Sequence, residues 1–184
     1  MSSSSRFFID TNLQRVLRLG RLGQLFCEND LKFPKKRLRR VSGLVKYHNR
    51  LCYYQDGKLH NDGEPAVIYA NGDQEWWVNG NRHRDNDLPA VIRANGDKQW
   101  WVNGNLHRDN DLPAIIRANG EKQWWVKGHL HRDNDLPAII RANGDQEWWV
   151  NGYRHRDNDL PAVIRVNGAM EWWVNGVFCR SAII

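Results

Sequence analysis

The feature that most constrains this chain is a 24-residue pattern that recurs from Tyr69 to the C-terminus. One clear copy is RANGDKQWWVNGNLHRDNDLPAII, residues 93–116. An adjacent pair of tryptophans and a single proline keep step with the pattern. The tryptophans are Trp76, Trp77, Trp100, Trp101, Trp124, Trp125, Trp148, Trp149, Trp172 and Trp173, and the prolines are Pro65, Pro89, Pro113, Pro137 and Pro161. Near-identical tandem copies predict a repeat protein and are typical of recent duplication in expanding viral or bacterial families.

Turn residues predict that each copy contains a β-hairpin. Asn95-Gly96 lies between two apolar runs, and Asn-Gly supplies the two positive-φ residues of a type I′ turn. Such a two-residue turn pairs, outward from the turn, Ala94 with Asp97, Ile92 with Gln99, Val91 with Trp100 and Ala90 with Trp101. The second Asn-Gly, at Asn103, is expected to end the tryptophan strand before a polar, turn-rich connection.

The adjacent tryptophans indicate how an array of hairpins is stabilised. Successive side chains of a strand point to opposite faces, so each Trp of a pair covers its own side of a sheet that has no second layer. We therefore predict a mainly β fold, an elongated single-layer antiparallel sheet of tandem 24-residue β-hairpin repeats over residues 51–184. Residues 1–50 are predicted to form a separate basic segment that is partly helical.

About six repeat units fit the pattern, and the first and last are degenerate. In the first unit Tyr53 and Tyr54 take the places of a Trp pair, and His60 that of His83, if the following loop is one residue shorter. In the last unit the apolar end SAII replaces the charged DNDL of the preceding copy. We interpret both units as caps; an apolar tail that docks a partner is the alternative for the last.

The positive charge of the chain is concentrated in the first 50 residues. They hold 12 Lys and Arg against 3 Asp and Glu, a net charge of +9, whereas residues 51–184 hold 15 against 18, a net charge of −3. Within the basic segment Thr11 and Gln14 fit the capping box of a helix, and apolar residues follow at helical intervals. Gly20 favours a break, so the segment forms one helix or two.

A run of basic residues follows Pro34. It comprises Lys35, Lys36, Arg37, Arg39 and Arg40. The run is a candidate nuclear-import signal or anion-binding patch, and a solvated helix face is the structural alternative. Anionic membrane is a candidate partner for this segment, and nucleic acid is expected to bind, if at all, only here.

Cysteine usage and hydropathy predict the compartment. The 3 cysteines show no paired spacing, which indicates reduced thiols. No stretch approaches the roughly 18 apolar residues of a membrane span, and the first residues lack the apolar core of a secretory signal. We expect an intracellular, cytoplasmic protein that is not secreted, with a nuclear location as the alternative. Asp10, Glu28 and Asp30 disfavour a mitochondrial presequence.

The repeats resemble a known family. A Gly turn, an aromatic pair, Asn-Gly, a basic residue with His, and then a second strand are similar to MORN-type repeats, in particular to divergent variants written around NGKxHRxDGPA. DGKLHNDGEPAVI, residues 56–68, follows that pattern most closely. The histidines of the later copies are followed by Arg instead of Gly. The resemblance implies a sheet of hairpins that serves as a binding or membrane-associating scaffold without a family-wide catalytic site.

A second resemblance covers residues 19–40, LGRLGQLFCENDLKFPKKRLRR. Spaced leucines, an acidic turn, an aromatic residue and a basic stretch are similar to the second half of an F-box, although the Leu-Pro opening is absent. This resemblance implies an adaptor that binds a Skp1-type protein while the repeats capture a client.

The candidate interaction surface consists of the ten tryptophans given above and the histidines that recur with them. The histidines are His83, His107, His131 and His155. Rows of Trp side chains are either the apolar interior of the sheet or, as in the choline-binding repeats that they resemble, a surface for choline or glycan. We favour the structural role, because a single-layer sheet has no other core.

Catalysis and metal binding are not expected. His-Arg-Asp resembles a kinase catalytic loop, but four copies of a single-use motif without its partner motifs indicate a structural role. Asp-Asn-Asp lacks the Gly and Glu of a calcium loop, and histidines about 9.5 Å apart cannot share one metal ion. The sequence thus predicts a non-enzymatic scaffold for a protein partner, with no cofactor and no metal.

Overall fold

The computed structural model describes residues 42–183, and the backbone of 7–10, 15–19 and 25–26. The chain divides into two compact units, residues 1–82 and 83–184. The described residues are mainly β and form no helix. The predicted class of fold, a β-hairpin repeat array with antiparallel pairing, is therefore confirmed.

The described residues of the first unit form ten short strands. They are β1 (Phe7–Asp10), β2 (Arg15–Leu19), β3 (Leu25–Phe26), β4 (Gly43–Lys46), β5 (Arg50–Gln55), β6 (Lys58–Leu59), β7 (Val67–Tyr69), β8 (Gln74–Glu75), β9 (Trp77–Val78) and β10 (Asn81–Arg82). Strand β5 pairs antiparallel with β4, β6 and β7, and β7 pairs with β8. The predicted boundary between residues 50 and 51 thus falls within a strand.

The predicted N-terminal helix falls largely outside the described residues, as do Thr11, Gln14 and the basic run 35–40. The part that is described, β2, is a strand that pairs antiparallel with β1 and places Val16 opposite Ile9. Pairing with β1 satisfies the backbone groups of β2, which accounts for a strand where spacing alone predicts a helix. The F-box-like stretch 19–40 is described only at residues 19 and 25–26, so that prediction stays open.

The second unit contains fifteen strands. They are β11 (Val91–Ile92), β12 (Lys98–Gln99), β13 (Trp101–Val102), β14 (Asn105–Leu106), β15 (Ile115–Ile116), β16 (Lys122–Gln123), β17 (Trp125–Val126), β18 (His129–Leu130), β19 (Ile139–Ile140), β20 (Gln146–Glu147), β21 (Trp149–Val150), β22 (Tyr153–Arg154), β23 (Val163–Ile164), β24 (Ala169–Val174) and β25 (Val177–Ile183).

Each repeat of the second unit contributes two strands to one antiparallel sheet. The strands pair in the order β11, β12, β15, β16, β19, β20, β23, β24 and β25. The other strands form separate two-stranded hairpins, β13 with β14, β17 with β18, and β21 with β22. A repeat therefore contains two hairpins, whereas the sequence predicts one.

The first Asn-Gly of each repeat is not the type I′ turn that the sequence predicts. Gly96 has a φ of +95°, whereas Asn95 is absent from the positive-φ residues. The amide of Arg93 donates to the carbonyl of Asp97 at 2.9 Å, and the amide of Gly96 donates to the carbonyl of Arg93 at 2.9 Å. This is a three-residue turn that ends in a left-handed Gly.

The longer turn moves the hairpin register by one residue. Val91 lies opposite Gln99 and Ile92 opposite Lys98, so the predicted pairing of Val91 with Trp100 is wrong. A shift of one residue exchanges the side chains that share a face. The Asn95 side chain favours the observed turn, because its Oδ1 accepts the amide of Asp97 at 3.0 Å.

The second Asn-Gly is the type I′ turn. Asn103 has a φ of +49° and Gly104 one of +83°, and Val102 pairs with Asn105 across a two-residue loop. Lys127, which replaces the Asn in one copy, keeps the same left-handed conformation with a φ of +48°. The identical dipeptides thus form different turns because their flanking residues differ.

The degenerate units follow the same plan. The amide of His60 donates to the carbonyl of Tyr53 at 3.1 Å, as that of His107 does to Trp100 at 3.2 Å, which confirms the alignment of Tyr53 with the first Trp of a pair. At the other end Glu171 lies opposite Ser181, just as Glu147 lies opposite Val163. Strand β25 thus takes the place that the following repeat's strand occupies elsewhere.

The interior consists of the same few side chains from every repeat. Each Pro-Ala step places an alanine that is 0% exposed beside a buried Val or Ile, and the first Trp of four of the pairs is buried as well. The alanines are Ala66, Ala90, Ala114, Ala138 and Ala162. A larger residue would have no space there, because protein interiors are close-packed.

The two turns predict different losses of stability when their Asn is replaced by Gly. Asn95→Gly removes the bond to the Asp97 amide and adds backbone freedom, which we expect to cost about 1–2 kcal/mol of the free energy of unfolding. Asn103→Gly keeps a residue that adopts positive φ, and we expect a cost below about 0.5 kcal/mol. Urea unfolding followed by circular dichroism compares the two. A larger loss for Asn103→Gly would contradict this assignment of the turns.

Candidate functional site

The first Trp of a pair belongs to the interior in four of the five pairs, and Trp172 in the last pair is half-buried. In the second unit Trp100, Trp124 and Trp148 are only 6–7% exposed. Each indole Nε1 donates to a carbonyl thirteen residues earlier, for example from Trp100 to Asp87 at 3.0 Å. The buried rings of the candidate surface are therefore structural contacts and do not form an exposed face.

A clamp between repeats covers the buried indoles of the second unit. The Arg108 guanidinium lies over the Trp100 ring, 3.9 Å from its centroid. Its Nε and Nη2 each donate to a carboxylate oxygen of Asp87, in the preceding repeat, at 2.8 Å. Its Nη1 donates to the carbonyl of Pro113, in its own repeat, at 3.4 Å. One guanidinium therefore joins two neighbouring repeats.

The clamp recurs through the second unit. The equivalent Arg, Asp and Trp are Arg132 with Asp111 and Trp124, Arg156 with Asp135 and Trp148, and Arg180 with Asp159 and Trp172. Hydrogen bonds from the guanidinium lower the pKa of the carboxyl in Asp87, Asp111 and Asp135. These three clamps therefore favour the ionised Asp.

The second Trp of each pair is half-buried, and its Nε1 is bonded to the side chain two residues earlier. Trp149 donates to Glu147 at 3.1 Å, and Trp101 donates to Gln99 at 3.0 Å. Burial tends to raise the pKa of Glu147, but the guanidinium groups of Arg141 and Arg154 outweigh it and lower that pKa. Glu147 is thus a buried carboxylate held by two arginines.

The residues around the second Trp vary together. Repeats with Glu at this position carry Arg seven residues later, as in Glu75 with Arg82 and Glu147 with Arg154, and those side chains form ion pairs. Repeats with Gln carry Leu instead, as in Gln99 with Leu106. The final repeat differs, because Phe178 follows Glu171 and packs edge-on against Trp173 with ring centroids 5.3 Å apart. A buried charge is accommodated only with its partner.

The histidines hold the loops that connect the repeats. His131 Nε2 lies 3.0 Å from Asp133 Oδ1, and its Nδ1 accepts the backbone amide of Asn151 at 3.2 Å. A ring nitrogen that accepts carries no proton, so this histidine is neutral and donates from Nε2. His107 Nδ1 is buried without a hydrogen-bond partner. The repeat that follows it carries Lys127 where the other repeats carry Asn.

Each Asp-Asn-Asp segment forms a tight turn. Asn86 and Asp87 have φ values of +60° and +53°, and the amide of Leu88 donates to the carbonyl of Asp85 at 3.3 Å. Within residues 42–183 no group of three or more His, Cys, Asp or Glu side chains is arranged to hold a metal ion. The Asp87 carboxylate instead accepts two hydrogen bonds from Arg108.

Three equivalent grooves lie between successive repeats of the second unit. Their volumes are 230, 290 and 250 Å³ in chain order. Each groove has a leucine that is 37–38% exposed, namely Leu112, Leu136 or Leu160. The histidine-bound carboxylates Asp109, Asp133 and Asp157 line the grooves with side chains that are 79–81% exposed. We call this surface the groove row.

The position after the second turn differs most between repeats. It is Asn105, His129, Tyr153 or Val177, and each of these residues is exposed. The Tyr153 ring lies so close to Gly176 that a Cβ added there would be 3.2 Å from it. Near-identical backbones therefore present different side chains along this edge.

The structure separates the predicted site residues into groups. The first tryptophans are buried except Trp172, and the second are half-buried. Of the histidines, His107, His131 and His155 line the grooves. The clamp residues Arg108 and Asp87 were not predicted, although a separation of 21 residues between Asp and Arg that recurs four times could reveal them. The basic run 35–40 lies outside the described residues.

No family model matches the chain, and no curated protein is significantly similar to it. Among the described residues no helix of a length and hydropathy suited to crossing a bilayer is present.

The covariation around the second Trp predicts a compensating pair of substitutions. Arg154→Leu alone leaves the buried Glu147 short of one cation, and we expect a loss of about 1–3 kcal/mol in unfolding free energy. Adding Glu147→Gln reproduces the natural Gln123 and Leu130 combination and should restore most of the loss. A double-mutant cycle by urea unfolding measures the coupling, and additive effects would contradict it.

The clamps also predict a response to acid. The lowered pKa of Asp87, Asp111 and Asp135 stabilises the folded state above about pH 4, the ordinary value for Asp, and this contribution is lost as pH falls through the lowered folded value. Replacing all three by Asn removes the contribution at every pH. The melting temperature of the parent chain should therefore fall more steeply below about pH 4 than that of the triple variant. If the melting temperatures of the two proteins, taken from thermal melts, fell equally steeply with pH, the result would contradict the contribution of the clamps.

Proposed function

We propose that the protein is a non-enzymatic, MORN-like repeat scaffold that binds a protein partner along the groove row. The observation that supports this most is the recurrence of one groove in three successive repeats, with an exposed Leu and an exposed Asp in each. A catalytic site needs one asymmetric arrangement of unlike groups, whereas a periodic surface suits a long partner that makes the same contact several times.

The state of the reactive side chains supports the same proposal. His131 is bonded through both ring nitrogens, Arg132 is held by Asp111, and the buried Trp124 donates to a carbonyl. These groups therefore stabilise the array, and the exposed Leu and Asp side chains remain for binding.

Binding of choline or glycan through the tryptophans is less well supported. A quaternary ammonium needs an aromatic face, and on the buried indoles an arginine already takes a face, as Arg132 does on Trp124 at 3.8 Å. The contact that a ligand cation would make is thus made by the protein itself.

Site-specific photo-crosslinking tests the proposal in the full chain. A photoreactive amino acid at Leu136, in the groove row, should yield a discrete crosslinked protein in native cells. The same amino acid at Lys122, which is exposed on the main sheet, is the matched control. We expect the adduct at position 136 to exceed that at 122 by about tenfold, which corresponds to about 1.4 kcal/mol of preference.

Two results would overturn the proposal. Adducts at Lys122 alone would place the partner on another surface, and the absence of a protein adduct at both positions would remove the evidence for a scaffold. Melting temperatures equal to that of the parent chain would show that neither insertion disturbs the array.

A further inference from the structure

We propose that the partner segment that fits the groove row is a polyproline II peptide with a Lys or Arg at every third residue. This inference rests on the scaffold function proposed above and specifies the chemistry of its partner. Three properties of the second unit carry it: the charge left uncompensated in each groove, the apolar surface beside that charge, and the spacing of the repeats.

The charges of the groove walls do not cancel. Around the middle groove the Arg132 guanidinium is paired with Asp111, and Arg156 is paired with Asp135. The Asp133 carboxylate contacts His131 Nε2 at 3.0 Å, and that histidine is neutral because its Nδ1 accepts an amide. One carboxylate on each wall therefore keeps its negative charge and is complementary to a cation.

Apolar surface lies next to each of these negatively charged carboxylates. The middle groove is lined by Leu136, Trp149 and Val150 as well as by Asp133 and Asp157, and its leucine is 37% exposed. The aliphatic stems of Lys and Arg cover apolar surface while their charged ends reach a carboxylate. Proline rings pack well against aromatic-lined grooves. A segment that alternates basic residues with prolines therefore matches both parts of the groove.

The spacing of the repeats selects the conformation of the peptide. Two strands per repeat place equivalent carboxylates roughly 9.5 Å apart. In polyproline II three residues rise about 9.3 Å and return a side chain to the same side. In a β-strand the side chains on one side recur every two residues, a spacing of about 6.7 Å. In an α-helix they recur after seven residues, a spacing of about 10.5 Å. Polyproline II matches the row most closely, with one basic residue at each of Asp109, Asp133 and Asp157.

Fluorescence anisotropy with two labelled peptides of equal composition tests the match on the full chain. The first peptide, KPPKPPKPPK, carries Lys at every third position, and the second, KPKPPPPKPK, has the same residues at other spacings. We expect the first to bind about tenfold more tightly at low salt, because only its spacing places a Lys at all three carboxylates at once. Added salt should reduce the difference.

Variants of the chain identify the surface. Asp109→Asn, Asp133→Asn and Asp157→Asn together remove three charges while the amide oxygen still accepts from histidine, so the array should stay folded. This triple variant should lose the tenfold preference. A control that neutralises exposed carboxylates of the first unit, Asp56→Asn with Glu64→Gln, should keep it. Circular dichroism checks that both variants fold.

The outcomes separate this inference from the proposed function. Equal binding of the two peptides, or a preference that survives the groove variant, would overturn the peptide assignment. If crosslinking at Leu136 still captured a protein, the scaffold function would stand with a partner of other chemistry. Specific peptide binding that is lost only in the groove variant would support the inference.

Discussion

The contact between Arg, Asp and Trp is the interaction on which the repeat array depends. An exposed ion pair alone stabilises a protein by little. Here the guanidinium of Arg132 contacts an indole and a carboxylate, and the Arg132 side chain is only 13% exposed. Charge, hydrogen bonds and apolar contact therefore act together. Because each clamp joins neighbouring repeats, the array gains a structural link with every copy that is added.

The same contact determines which side chains remain for binding. The clamp takes up the buried Trp, one Asp of each loop and the Arg, and the loop histidine is bonded through Nε2 to a second Asp. Along the grooves a carboxylate, a leucine and the side chain after the second turn stay exposed. Individually these contacts are weak, but repetition at constant spacing converts them into one extended surface.

The differences between copies have physical causes where the structure describes them. Glu147 with Arg154 and Gln99 with Leu106 are two solutions to the same burial, because a carboxylate beside the second Trp needs a cation and an amide does not. The variation at the position after the second turn, which holds His129 or Tyr153, has another cause. That position is exposed, so it accepts many side chains. The first kind of variation preserves the fold, and the second changes the surface.

The sequence by itself determined the repeat length, the β class, the alignment of Tyr53 with the tryptophans and the structural role of the first Trp, because period and residue type are local properties. Only the tertiary structure decided which Asn-Gly is the type I′ turn, since the dipeptide is the same at Asn95 and Asn103 and the flanking hydrogen bonds select the conformation. It also decided the clamp, because Arg108 and Asp87 are 21 residues apart and meet only when one repeat pairs with the next.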